Sequence, residues 1–145
     1  MSSEFKDNSA AVKHEIELQA IRGLIQACML VEGVAVGLAP VDTGALRDSI
    51  DYRVDRDELV GYVGTNCEYA VWIEFGTGEF AEKGNGRKGG WVYTAADGKT
   101  YFTYGQRPTK FLRKAFRQNK SQIQEILEDC LRTVSYTHLR AHETL

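Results

Sequence analysis

From Glu15 to Leu38 the apolar residues advance in steps of three and four, and Pro40 closes the run. No other feature limits the possible folds as strongly. Ile16, Ala20, Leu24, Ala27, Val31, Val34 and Leu38 form one stripe, widened by Ile21, Cys28 and Ala35. Glu15, Glu17, Arg22 and Gln26 fall on other faces. The spacing predicts one long amphipathic helix that stops at Pro40, whose ring disfavours helix at the residue before it. Ala27, Gly33, Ala35 and Gly37 are small enough for another element to approach closely. Glu32 and the glycines interrupt the apolar stretch from Ile25 to Leu38, so it does not read as a membrane span.

Beyond Pro40 the period changes. Asp42 or Thr43 can cap a short helix through Leu46 and Arg47. Ser49 to Val54 alternates, Asp55 to Glu58 is a polar turn, and Leu59 to Val63 is a second strand, which together predict a hairpin. Tyr69 to Gly76 is dense in large apolar residues and reads equally as a buried strand or a short helix. Gly78 to Gly90 reads as a flexible basic loop.

Trp91 to Tyr104 is the clearest hairpin, because Asp97-Gly98 is a favoured two-residue turn pair. With that pair at the tip, Tyr93 faces Phe102 and Trp91 faces Tyr104, which puts four aromatic rings on one face. Val92, Thr94, Tyr101 and Thr103 then take the other face. After Pro108 a second amphipathic helix is expected to about Leu131, with Leu112, Ala115, Phe116, Ile123, Ile126, Leu127 and Cys130 as its stripe. Its start carries Lys110, Arg113, Lys114 and Arg117, and Glu125, Glu128 and Asp129 lie near its far end. Both sets oppose the helix dipole, which points to charge partners elsewhere. The predicted class is α+β: a long N-terminal helix and a C-terminal helix packed on an antiparallel sheet, with a protruding long β-hairpin.

Composition narrows the functions. The 145 residues are 43% apolar and 26% charged, enough for a self-sufficient core. A formal net charge of -2 gives no electrostatic reason to expect a nucleic-acid or membrane partner. The N-terminal Met1-Ser-Ser-Glu-Phe-Lys-Asp lacks the plan of a signal peptide, so synthesis in a cytoplasm is expected. Cys28, Cys67 and Cys130 are far apart and have no histidine at ligand spacing, so they read as structural thiols. Phosphate-binding glycine motifs, zinc spacings and nucleophile elbows are absent. A triad of Ser49, Asp48 and His14 can be imagined, but a solvated His14 and a turn-forming Asp48-Ser49 are the simpler readings. Asp55 and Asp57 flank Arg56 in a polar turn and do not read as an acid/base pair. Neither catalysis nor a cofactor or metal is expected. Val134-Ser-Tyr-Thr-His-Leu-Arg-Ala-His-Glu-Thr144 resembles a translated sequencing adapter and has no period that continues the preceding helix. Residues 1–133 are therefore expected to form a single domain, with 134–145 foreign to it and the natural C-terminus missing.

Three segments, in order and at their spacing, resemble one family. They are Val41-Asp-Thr-Gly-Ala-Leu-Arg-Asp-Ser-Ile50, Tyr69-Ala-Val-Trp-Ile-Glu-Phe-Gly-Thr77 and Gln106-Arg-Pro-Thr-Lys-Phe-Leu-Arg-Lys-Ala-Phe116. The family is the lambdoid siphophage gene-product-ten family of minor tail, head–tail joining or tail-completion components. The resemblance spans roughly Ala20 to Leu131, and one departure is Lys110 and Lys114, where many relatives carry proline. It implies an α+β fold, no cofactor, no catalysis and a ring-forming role at the neck or tail end. Other neck or tail proteins are the implied partners, in the virion and, during assembly, in the host cytoplasm.

The family-motif residues expected to be structural are Asp42, Thr43, Gly44, Leu46, Arg47, Tyr69, Glu74, Phe75, Gly76, Thr77, Pro108, Phe111 and Leu112. Leu46, Ile50, Tyr69, Trp72, Ile73 and Phe75 are expected in the core, with Arg47 paired to Glu74. The candidate assembly surface is Trp91, Tyr93, Phe102 and Tyr104 with the basic Lys83, Arg87 and Lys88. A ring needs one patch to meet a different patch on the next subunit, and exposed aromatics supply an anchor. DNA enters this reading only as cargo passing an acidic ring, and no membrane is involved. Two rivals remain. One is a minor capsid or head-closure protein; the other is a single-strand nucleic-acid-binding module that uses the same basic loop and aromatics.

Overall fold

The computed structural model describes residues 9–40, 44–95 and 97–143, with backbone alone for 135–143. The class is α+β, as the sequence predicts. In chain order the elements are α1 (Ser9–Leu38), α2 (Ala45–Ser49), β1 (Ile50–Asp55), β2 (Val60–Thr65) and α3 (Ala70–Phe75). A 3-10 turn (Gly78–Phe80), β3 (Trp91–Thr94), β4 (Thr100–Thr103), α4 (Phe111–Gln118) and α5 (Lys120–Glu143) follow. β1 pairs with β2 and β3 with β4, in two separate two-stranded sheets. The chain divides into two compact units, one of residues 1–31, 52–63 and 119–145, the other of 32–51 and 64–118.

In the first unit Ala27, Cys28, Val31, Cys130 and Val134 are the buried apolar residues. Two glycines set its close approaches. A Cβ on Gly23 would lie 3.0 Å from Leu127 Cδ2 and 3.5 Å from Cys130 Sγ, so α5 crosses α1 there. A Cβ on Gly61 would lie 2.5 Å from Cys28 Sγ, so β2 runs tight against α1. Among the described residues nothing approaches Gly33 or Gly37 closely, unlike the expectation. Leu18 and Met29, off the predicted stripe, are exposed, and so is Ile16, which was expected on it. By length and composition alone α1 is long and apolar enough to cross a membrane, with an 18-residue window of mean hydropathy 1.6. A core helix passes the same test, and α1 has core contacts at Gly23 and Gly61.

The turn between β1 and β2 is held by Asp55, whose Oδ1 accepts from the Asp57 and Glu58 N–H groups, each at 3.0 Å. Leu59 ends it at φ 55, a left-handed conformation uncommon for a branched residue. α5 continues to Glu143, so the expectation of a helix ending near Leu131 is corrected. The single helix expected after Pro108 is instead two. It breaks at Asn119, whose carbonyl accepts the Ile123 N–H at 2.8 Å and so starts α5.

In the second unit the buried apolar residues include Ala35, Ala39, Leu46, Ile50, Ala70, Ile73, Phe111 and Ala115. Gly44, at φ 75, starts α2, and its carbonyl accepts the Asp48 N–H. Asp42 and Thr43, the expected caps, lie outside the described residues. The Ser49 hydroxyl donates to the Leu46 carbonyl and shares a hydrogen bond with the Thr65 hydroxyl, which ties the end of α2 to β2. The ambiguous Tyr69–Gly76 segment is helical. One turn of helix carries Ala70, Ile73 and Glu74 inward. It leaves Trp72 60% and Phe75 36% exposed, which corrects their expected place in the core. Phe111 takes the buried place on α4, and Phe116, expected on its stripe, is exposed.

The β3–β4 register also differs from the expected one. Trp91 pairs with Thr103, Val92 with Phe102, Tyr93 with Tyr101 and Thr94 with Thr100. The loop has three residues between Ala95 and Lys99, closed by Ala95 N–H to Lys99 O at 2.9 Å and Gly98 N–H to Ala95 O at 3.0 Å. Gly98, at φ 81, takes the left-handed position that such a loop demands. One residue of slip moves one strand's side chains to the opposite face. Trp91, Tyr93 and Tyr101 therefore share one face, and Val92, Phe102 and Tyr104 the other.

Candidate assembly surface

The second and third sequence motifs meet in one clamp. Thr77 N–H donates to the Gln106 carbonyl and Gln106 N–H to Thr77 Oγ1, both at 2.8 Å. Thr109 N–H reaches the Ile73 carbonyl at 2.8 Å. Gly76, at φ 80, is held so closely that a Cβ would lie 2.9 Å from Pro108 Cδ, Gln106 O and Phe80 O. Beneath it Glu74 is 4% exposed. Its carboxylate accepts from the Leu112 and Arg113 N–H groups, at 3.0 and 3.1 Å, in the first turn of α4, and from Arg113 Nε at 2.9 Å. A buried carboxylate thus satisfies the free donors at a helix start and complements its dipole.

Arg113 extends the cluster. It donates to the Glu74 carbonyl and forms a second ion pair with Glu82, whose Oε2 is 2.7 Å from Nη2. Lys110 Nζ is 3.8 Å from Glu82. The Arg113 guanidinium holds the Glu82 carboxyl below the usual carboxylate range, and Glu82 and Glu74 in turn raise Arg113 above its ordinary value. Arg47 does not join this network: its Nε donates to the Ala39 carbonyl at 3.2 Å, which corrects the expected Arg47–Glu74 pair. The dipole-opposing arginine at the start of α4 has the partners its charge called for. That was the signal, although it did not say which carboxylates would answer. Lys110 sits at φ 56, a left-handed conformation that a proline could not adopt.

Around the clamp lies an aromatic surface. Val92 and Phe102 are 61% and 57% exposed, and Tyr104 stacks edge-on to Phe102 with centroids 5.0 Å apart. On the opposite hairpin face Tyr93 and Tyr101 lie 5.8 Å apart. Asp97 accepts from the Lys99 N–H and the Tyr101 hydroxyl, which together hold its carboxyl low, and the bond to Asp97 raises the Tyr101 hydroxyl above its ordinary value. A cleft of about 470 Å³ is walled by Val71, Trp72, Phe75 and Trp91, with Lys83 and Arg87 on its rim. Trp72, Thr77 and Trp91 also wall a second cleft of about 460 Å³ that includes Tyr69 and Tyr93. Lys83 Nζ lies 5.6 Å from the Phe75 ring centre and the Arg87 guanidinium 5.7 Å from that of Trp91. Lys88 is exposed. The basic loop does not stand free, because Gly86 lies against the Gly78 backbone and Gly89 N–H donates to Glu79.

The family model described as "Bacteriophage HK97-gp10, putative tail-component" matches residues 3–76, just over half of the chain. The chain belongs to this family. It is a structural phage tail component, a protein of the virion that works with other tail proteins. The family match takes in the first motif and the second as far as Gly76, and the third lies beyond it. No curated protein and no solved structure matches the chain. Among the described residues no cluster of metal-ligating side chains is present. Of the expected surface residues, the hairpin brings Trp91 and Tyr93 together on one face and Phe102 and Tyr104 on the other, and Lys83 and Arg87 join Trp91 at the first cleft. The exposure of Val71 and Trp72 was not legible, because it follows from a helix the sequence left undecided.

Proposed function

We propose that this tail component acts by ring-type oligomeric assembly, completing the tail or joining it to the head, without catalysis. The observation that carries the reading is the uncovered hairpin face of Val92, Phe102 and Tyr104, each more than half exposed. Aromatic rings presented so openly are anchors for a partner surface, and a ring requires such a patch to meet a different one on the next copy. Neighbouring neck or tail proteins would add further contacts, and assembly would take place in the host cytoplasm. The single-strand nucleic-acid reading is weakened by Arg87, which lies over the Trp91 face on which a base would stack.

The test replaces Val92 and Phe102 together by serine. These exposed side chains have little to do with the fold, so circular dichroism should be unchanged. The oligomer's dissociation constant should rise at least about tenfold. Assembly equal to the wild type would remove this face from the interface.

A further inference from the structure

A net charge of -2 conceals a sharp division along the chain. Residues 83–117 hold nine basic side chains and one acidic, whereas residues 1–82 hold fifteen acidic and six basic. The basic stretch supplies the rim of the Trp72–Trp91 cleft. Among the described residues neither Lys83 nor Arg87 makes an ion pair, and Glu82 beside them is taken by Arg113 and Lys110. The cleft is therefore apolar in its walls and positive at its rim.

One surface of the same chain has the complementary form. The β1–β2 turn, Asp55-Arg-Asp-Glu58, carries a formal charge of -2 and presents Arg56, Asp57 and Glu58, all exposed and, among the described residues, without an ion pair. Next to them Leu59 and Val60 are 36% and 38% exposed. The turn is rigidly set by the two N–H groups that Asp55 accepts, so little ordering is left to binding. Leu59 holds an unfavourable left-handed conformation that glycine or asparagine would take readily, and so presents an apolar side chain beside two carboxylates. An apolar knob with acids at its base matches an apolar cleft with bases at its rim.

We propose that the β1–β2 turn of one copy docks in the Trp72–Trp91 cleft of the next, with Leu59 in the cleft and Asp57 and Glu58 against Lys83 and Arg87. The contact is head-to-tail, as a closed ring requires, and its charges set which patch meets which. This inference rests on the ring reading and names a second contact besides the exposed hairpin face.

A charge swap tests it, read by sedimentation at low and high salt. Asp57→Lys with Glu58→Lys, or Lys83→Glu with Arg87→Glu, should each weaken association about tenfold or more, and added salt should weaken the wild type. All four changes in one chain should restore association to within about threefold of the wild type, since the pairing is only reversed. If each pair leaves the oligomer intact while the Val92/Phe102 variant dissolves it, the ring reading stands and this contact falls. Weakening without rescue in the fourfold variant also overturns it. Loss of binding to a single-stranded oligonucleotide in Lys83→Glu/Arg87→Glu, with the oligomer unchanged, would give the cleft to nucleic acid instead. A wild-type monomer at millimolar concentration and low salt would overturn both.

Discussion

At the scale of the residue, Glu74 has the largest consequences. A carboxylate 4% exposed would be strongly unfavourable alone, and three donors make it tolerable: two backbone N–H groups of α4 and Arg113 Nε. Glu74→Ala leaves those N–H groups and one side of Arg113 without an acceptor, and should cost about 2–4 kcal/mol in chemical denaturation. Glu74→Gln, which keeps one good acceptor, should lose less. Equal stability of the alanine variant and the wild type would mean that the clamp between the two motifs is incidental. The sequence showed that Glu74 and Arg113 both needed partners, but their 39-residue separation hid that they were each other's. Arg47 was an equally good candidate by charge, and only the fold placed it on the Ala39 carbonyl.

At the scale of the element, what local chemistry decides was legible and what register decides was not. The long helix and its stop before Pro40, the β1–β2 hairpin and its polar turn follow from period and turn residues. Short apolar runs carry no period, so Tyr69–Gly76 stayed open between strand and helix, and with it the exposure of Trp72 and Phe75. In the aromatic hairpin, Asp97-Gly98 fits a two-residue tip and a three-residue loop equally well. The second exchanges the ring partners and splits the aromatics between two faces. The close contact of β2 with α1 was likewise invisible, since Gly61 is recognisable as necessary only once Cys28 is opposite it. Gly61→Ala should destabilise the chain by about 1–3 kcal/mol through overpacking. In a Cys28→Ala background the same change should cost less, because the sulfur it meets is gone. An undiminished cost there would place the clash elsewhere, and thermal denaturation of the four chains decides it.

At the scale of the whole molecule, the exposed apolar side chains matter more than the core. α1 carries Ile16, Leu18 and Met29 outward, the hairpin carries Val92 and Phe102, and α3 carries Val71 and Trp72. A monomer that kept all of these in water would be poorly soluble, whereas a tail component that assembles can cover them. Family membership places the chain in the phage tail, and in the ring proposed above the division of charge between residues 1–82 and 83–117 would favour head-to-tail contact.

The most direct measurement is the mass of the full chain by sedimentation velocity over a wide range of concentration. Ring assembly predicts one closed oligomer whose mass stops growing once it forms. A monomer at every concentration, or an open-ended series of growing species, would contradict it.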